Sequence, residues 1–159
     1  MKEMRGRVAA ITGAGSGIGR ALAVDLARRG THLALADIDT DGLAESVALC
    51  EGYGVKVTSC RLDVADRDAI YRWADEVPAQ HGHVNLLFNN AGVALVADVL
   101  SMSDEDLHWL VDINLWGVLV ATGWRHTGYI MLIYLAGLKG VDSSLREAAA
   151  VDGATEVQT

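Results

Sequence analysis

A chain of 159 residues has room for one domain with a sizeable core, and two full domains would exceed it. Hydrophobic residues at 51% and charged residues at 21% describe a globular protein and exclude a disordered tail, while a formal net charge of −8 excludes nucleic acid as a partner, because phosphate binding needs clustered Lys and Arg. Cys50 and Cys60 fit no metal-ligand spacing and no disulfide framework; they suit a reducing cytoplasm and read as small buried apolar residues, so no metal site is expected.

The N-terminus, Met1-Lys2-Glu3-Met4-Arg5, leads directly into the apolar run Val8-Ala9-Ala10-Ile11, and no signal peptide is expected. That run is a buried strand. It is followed by Thr12-Gly13-Ala14-Gly15-Ser16-Gly17-Ile18-Gly19 and then by a helical pattern from Arg20 to Arg29 in which Ile18, Leu22 and Leu26 recur every fourth residue. Arg28 and Arg29 suit the negative end of that helix, and Gly30 suits the left-handed residue beyond it. Small residues between a strand and a helix let the backbone turn sharply and approach a pyrophosphate, whose charge then rests on the free N–H groups of the helix start. A tight strand-to-helix connection is the plainer alternative for such a turn taken alone.

Further along, His32-Leu33-Ala34-Leu35-Ala36 reads as a second strand ending at Asp37, Leu43 to Leu49 as a second helix, and Lys56 to Leu62 as a third strand ending at Asp63. A helix from about Asp66 to Trp73 and beyond precedes a fourth strand, Val84 to Phe88, which runs into Asn89-Asn90-Ala91-Gly92. Alternation of this kind predicts right-handed crossovers and a parallel, doubly wound sheet. Ser103-Asp104-Glu105-Asp106 has the form of a capping box and starts a long helix, whose Leu107, Leu110, Val111, Asn114, Leu115 and Val118 are expected to face the core, with Asn114 as the polar exception.

The spacing of the glycine turn and the N-N-A-G tetrapeptide together resemble the two signatures of the short-chain dehydrogenase/reductase family. The resemblance implies an α/β, Rossmann-like doubly wound parallel sheet over residues 1–122, here truncated, with a helical tail over 123–159. It implies a nicotinamide dinucleotide held by Gly13, Ser16, Gly17, Ile18 and Gly19 at the phosphates. Asp63 and Val64 would then contact the adenine, Asn90, Ala91 and Gly92 would pass beneath the ribose, and Asn89 would brace a neighbouring strand. Asp37 stands 18 positions after Gly19, where a carboxylate can accept hydrogen bonds from ribose hydroxyls and would repel a 2′-phosphate; with no Lys or Arg in the turn or at Ile38-Asp39, this points to NAD over NADP. A capping or solvated Asp is the other reading of Asp37. In the family an asparagine matching Asn114 holds a water that links the catalytic lysine to solvent; the alternative is a core asparagine bonded to nearby backbone.

The family's catalytic serine, and its tyrosine four residues before a lysine, have no counterparts. Lys139 follows Asn114, but Leu135 stands four positions before it and Tyr134 five, and Ser143 and Ser144 come too late. From Trp124 onward the chain instead resembles the permease subunits of ABC sugar importers, whose E-A-A-x-x-x-G loop docks on an ATPase subunit, with Glu147-Ala148-Ala149 to Gly153 in that place. An ordinary alanine-rich helix would look much the same. Only Tyr129 to Leu138 is continuously apolar there, too short to span a membrane, while Tyr129 to Ala136 could fill the slot of a fifth strand. The expectation is a cytoplasmic chimera of two truncated partners. Two functions follow: an NAD-binding oxidoreductase acting on a small alcohol or carbonyl compound, catalytically impaired, or a non-enzymatic module contacting an ATPase subunit through Glu147–Gly153. A fragment without selected function is the third.

Overall fold

The computed structural model describes residues 4–96 and 102–123. The chain divides into two units, residues 1–124 and 125–159, and everything described below belongs to the first. The element order is β1 (Val8–Thr12), α1 (Gly17–Arg28), β2 (His32–Asp37), α2 (Thr40–Glu51), β3 (Val57–Arg61), α3 (Arg67–His81), β4 (Leu86–Phe88) and α4 (Asp104–Val111). The four strands form one parallel sheet in the order β3-β2-β1-β4, as the alternation predicts.

Residues of alternate parity along each strand divide the core into two layers. Ala9, Ile11, Leu33 and Leu35 pack against Ala23, Leu26 and Ala27 of α1 and Leu43 and Cys50 of α2, while Ala10, Ala34 and Ala36 pack against Ile70, Trp73 and Val77 of α3 and Ala121. Small residues on the second face leave room for Trp73. Cys50 is fully buried and Cys60 half-buried, and burial raises both thiols above their ordinary value, so neither is a ready nucleophile.

Strand ends differ from the sequence expectation for reasons visible in the ladder. β3 is shorter than Lys56 to Leu62, although Lys56 O still accepts from Leu33 N and Leu62 N still donates to Asp37 O. The fourth strand starts at Leu86 instead of Val84 because Asn85 closes the ladder itself: its N–H donates to Val8 O at 2.9 Å and its side-chain Oδ1 accepts from Val8 N at 2.8 Å. The second helix extends beyond Leu43 to Leu49 in both directions, started by the Asp39 carboxylate, which accepts from the N–H groups of Asp41 and Gly42.

Helix α4 departs furthest. Its capping box is present, with Ser103 and Asp106 bonded reciprocally. The helix then runs into a π-helical segment, Asp112–Gly117, and continues through 118–123. The expected core-facing stripe is not what packs: Leu107, Asn114 and Leu115 are exposed, Leu110, Val111 and Val118 only half-buried, and the buried positions are Gly117 and Ala121. A side chain on Gly117 would lie 2.8 Å from Val64 O, so a glycine is what lets the helix lie this close.

At the opposite end of the sheet from the glycine turn, His81 Nε2 lies 2.9 Å from Thr58 Oγ1, while its Nδ1 is buried without a partner. Desolvation, with Lys56 and His32 nearby, holds the His81 imidazole below its ordinary value. The folded state therefore favours the neutral ring, and the associated stability is complete above the unfolded value of 6.5 and is lost as pH falls below it. Urea midpoints should fall between pH 7.5 and pH 5.5, roughly the window where histidines and not carboxylates titrate, and His81→Gln should flatten that slope. An unchanged slope in the variant would assign it to another group.

Candidate functional site

The C-terminal edge of the sheet carries the turn between β1 and α1. Gly13 adopts φ +66° and Gly17 φ +51°, conformations that side-chain-bearing residues rarely adopt. Nothing lies within 4 Å of the point where a side chain on Gly17 would start, so this residue leaves open space above the turn. At Gly13 the reason is contact: a Cβ would sit 2.8 Å from both Ala91 Cα and Asn90 Nδ2.

Helix α1 begins here without a side-chain cap, since Ser16 occupies the N-cap position and makes no capping bond. The starts of α2, α3 and α4 are capped by Asp39, Asp66 and Ser103. The unpartnered N–H groups of the first turn of α1 thus keep their partial positive charge beside the open space.

A cavity of about 360 Å³ lies over this edge. Gly13, Ser16, Gly17 and Ile18 line it from the turn, Asp37 from the end of β2, Asp63 and Val64 from the loop after β3, and Asn90, Ala91 and Gly92 from the loop after β4. Of the cofactor residues expected from the sequence, Gly19 alone stands outside the lining. Its place is underneath: a side chain there would meet Gly13 O at 2.0 Å, so Gly19 is where α1 touches the strand-exit backbone. Ile18 does not belong to the apolar stripe of α1, being 79% exposed on the cavity rim. Sequence reasoning missed Ile38, Leu62, Val93 and Ile113 as lining residues. Each adjoins a residue that it did single out, and adjacency was the available signal.

The polar groups are oriented by short bonds. Asp37 Oδ2 accepts from Gly15 N at 2.7 Å and Oδ1 from Asp39 N at 2.9 Å, which fixes the carboxylate and leaves further lone pairs available. Asp63 Oδ1 accepts from Ala65 N at 2.9 Å. Thr12 Oγ1 accepts from the N–H groups of Asn90 and Ala91, and the Asn90 amide donates to the carbonyls of Thr12 and Gly13, so the N-A-G loop is bound to the exit of β1 by main chain and amide alike. Asn89 donates to Thr122 Oγ1, on the helix instead of a neighbouring strand.

Asn114 lies within the π-helical segment and is exposed, not in the core. Its amide clamps one residue at two points: Oδ1 accepts from Val93 N at 3.0 Å and Nδ2 donates to Val93 O at 2.9 Å. It thereby holds the backbone just beyond Gly92, where an added side chain would be 3.0 Å from Asn114 Oδ1. Among the described residues no group of His, Cys, Asp and Glu could hold a metal ion, and no helix is long and apolar enough to cross a membrane.

The glycine turn, the acidic residue ending β2 and the N-A-G loop all lie within residues 7–125, which match the family described as short chain dehydrogenase. The chain belongs to the short-chain dehydrogenase family. Its relatives in that family include a protein named as an oxidoreductase, SadH of Mycobacterium tuberculosis, 48% identical over 122 residues that make up 77% of this chain and 44% of the relative. Human estradiol 17-beta-dehydrogenase 11 is 39% identical over 71% of this chain and 38% of the relative. Among solved structures, a short chain dehydrogenase/reductase from Burkholderia phymatum in complex with NAD is 40% identical with a TM-score of 0.73, covering 76% of this chain and 43% of that one. NAD+-bound xylitol dehydrogenase is 34% identical with a TM-score of 0.73, covering 76% and 47%. The chain thus spans under half the length of these relatives.

Proposed function

We propose that this chain binds a nicotinamide dinucleotide in the cavity over the sheet edge, NAD in preference to NADP, as part of an oxidoreductase-type protein handling a small alcohol or carbonyl compound in the cytoplasm. The observation that carries this reading is the joint presence, around one cavity, of an uncapped helix start and an oriented carboxylate. Phosphate oxygens suit the first, ribose hydroxyls the second. The NAD-bound neighbours support it.

In this reading the turn from Gly13 to Gly19 takes the pyrophosphate on its N–H groups, and Asp37 accepts from the adenosine ribose. Asp63 and Val64 border the adenine, while Asn90, Ala91 and Gly92 pass beneath the ribose. When bound, the nicotinamide supplies a hydride acceptor or donor. Asn114 contributes by holding Val93, and so the floor, in place. The pair that serves as proton acceptor in the family has no counterpart in these 159 residues, since no tyrosine stands four residues before a lysine after Asn114. We therefore read the chain as binding cofactor with impaired catalysis.

Arg20 is adjacent to the turn, yet it offers no free charge for a 2′-phosphate. Its guanidinium is engaged by Glu45 at 2.9 Å, Gly42 O at 3.1 Å, Ser46 Oγ at 3.0 Å and Gly15 O. Calorimetric titration should give tighter binding of NAD than of NADP, and Asp37→Ala should narrow the difference by about 1 to 3 kcal/mol, the scale of hydrogen bonds to a charged group. Stronger binding of the phosphorylated cofactor by the parent chain would refute the preference.

The permease-like segment, Glu147–Gly153, lies outside the described residues. The family match ends at residue 125; for 123–159 the second reading is a segment of different origin, whose E-A-A-x-x-x-G pattern would take an ATPase subunit as its partner. The expected result is capture of an ABC sugar-importer ATPase subunit by the chain, weakened by Glu147→Arg; equal capture by parent and variant would remove this second reading.

A further inference from the structure

We propose that Arg20 is a positioning residue for dinucleotide recognition, acting through the Gly15 peptide to fix the Asp37 carboxylate at the ribose end of the cavity. The inference rests on the dinucleotide reading above.

Gly15 is held from both sides. Its N–H donates to Asp37 Oδ2 at 2.7 Å, and its carbonyl accepts from the Arg20 guanidinium. No side chain fits between these groups, because a Cβ on Gly15 would stand 2.9 Å from the Asp37 carboxylate. Arg20 reaches this carbonyl from α1 and with the same nitrogen donates to Gly42 O on α2, at 3.1 Å. Gly42 in turn abuts the turn directly, since a Cβ there would lie 2.7 Å from Gly15 O.

Ser46 completes the arrangement. It is fully buried, its Oγ accepts from Arg20 Nε at 3.0 Å, and it lies within donating distance of Ala14 O at 2.7 Å and Gly42 O at 3.0 Å. Two consecutive carbonyls of the turn, Ala14 and Gly15, are therefore anchored to α2 by one guanidinium and one hydroxyl. With the carbonyls fixed, the Gly15 N–H points at Asp37 and sets which lone pairs the carboxylate presents to the cavity.

A planar fork is what this geometry uses: Nε and Nη2 address acceptors on α2 and on the turn at once, which the single ammonium of a lysine does less well. Arg20 itself does not line the cavity. Its influence has to pass through Gly15 and Asp37, and those groups distinguish a ribose hydroxyl from a 2′-phosphate. A purely structural tie between α1 and α2 would affect both cofactors alike.

The test is calorimetric titration of the full chain with NAD and with NADP, alongside thermal unfolding, for the parent, Arg20→Met, Arg20→Lys and Glu45→Gln. Arg20→Met should weaken NAD about tenfold while NADP changes by less than about twofold, the loss expected when a charge-assisted hydrogen bond no longer orients the carboxylate. Arg20→Lys should fall between parent and Arg20→Met. Glu45→Gln should keep the parental NAD-to-NADP ratio, because Arg20 retains its carbonyl partners. Equal loss for both cofactors, or no loss, in Arg20→Met overturns the assignment, as does a Glu45→Gln variant matching Arg20→Met. If Arg20→Met does not fold, Arg20→Lys decides: a lowered ratio supports the proposal and an unchanged one overturns it. A parent chain that binds neither cofactor overturns the dinucleotide reading itself, whereas a parent that binds NAD beside variants with its own ratio overturns the role of Arg20 alone.

Discussion

Replacing Gly19 by valine is expected to lower stability by about 3 kcal/mol or more and to abolish measurable NAD binding, a loss in the range reserved for overpacking of a site that cannot relax. The first side-chain carbon alone would stand 2.0 Å from Gly13 O and 2.7 Å from Asn90 Nδ2. Neither neighbour can retreat. Gly13 is itself confined by Ala91, and the Asn90 amide is spent on the carbonyls of Thr12 and Gly13. The branched side chain must therefore push α1 off the strand end, and the N–H groups that would receive phosphate move with it. Urea unfolding and calorimetric titration read the two consequences separately. A Gly19→Val chain with the parent's midpoint and affinity would show that the turn is no cradle.

The second large effect is on chemistry: with saturating NAD and a secondary alcohol, this chain should form NADH at a rate about 10² to 10⁴-fold below that of a relative with its catalytic tyrosine, the usual contribution of a general acid-base group. Proximity remains available to a bound substrate, but the Tyr-x-x-x-Lys pair that would take up the hydroxyl proton has no counterpart after Asn114 in these 159 residues. Tyr134, which lies outside the described residues, is the one tyrosine after Asn114 within five positions of Lys139. Robust NADH formation that disappears in Tyr134→Phe would overturn this expectation.

The nucleotide end of the fold was legible because its residues are constrained by backbone geometry. A strand, a turn of small residues and a helix are written consecutively from Val8 to Arg28, and a carboxylate at the end of the next strand follows from alternation alone. Ten of the eleven cofactor residues expected from the sequence line one cavity, and the eleventh, Gly19, packs directly beneath it. Three kinds of information were not in the pattern. Periodicity identifies a helical face without saying what packs on it, so Ile18 was placed with Leu22 and Leu26 although it sits on the cavity rim. In α4 the expected face is exposed already at Leu107, before the π-helical segment Asp112–Gly117 begins, and again at Leu115 within it, so helical spacing alone did not mark which residues would be buried. The bonds of Arg20, Ser46 and Asn85 escaped for a third reason. Each joins residues brought together only by the crossovers, and nothing local marks them.

The bonds from Asn85, Asn90 and Ala91 to the ends of β1 span 77 to 79 residues. Until β4 has docked, the turn has no floor. Closing so long a loop is entropically costly. Any ligand whose grip needs both the turn and the N-A-G loop therefore favours only molecules whose sheet is already complete. By mass action it would raise the unfolding temperature of the whole sheet and not of the turn alone, so the share of the unfolding amplitude that moves on adding the dinucleotide would report the fraction of finished domains in a preparation.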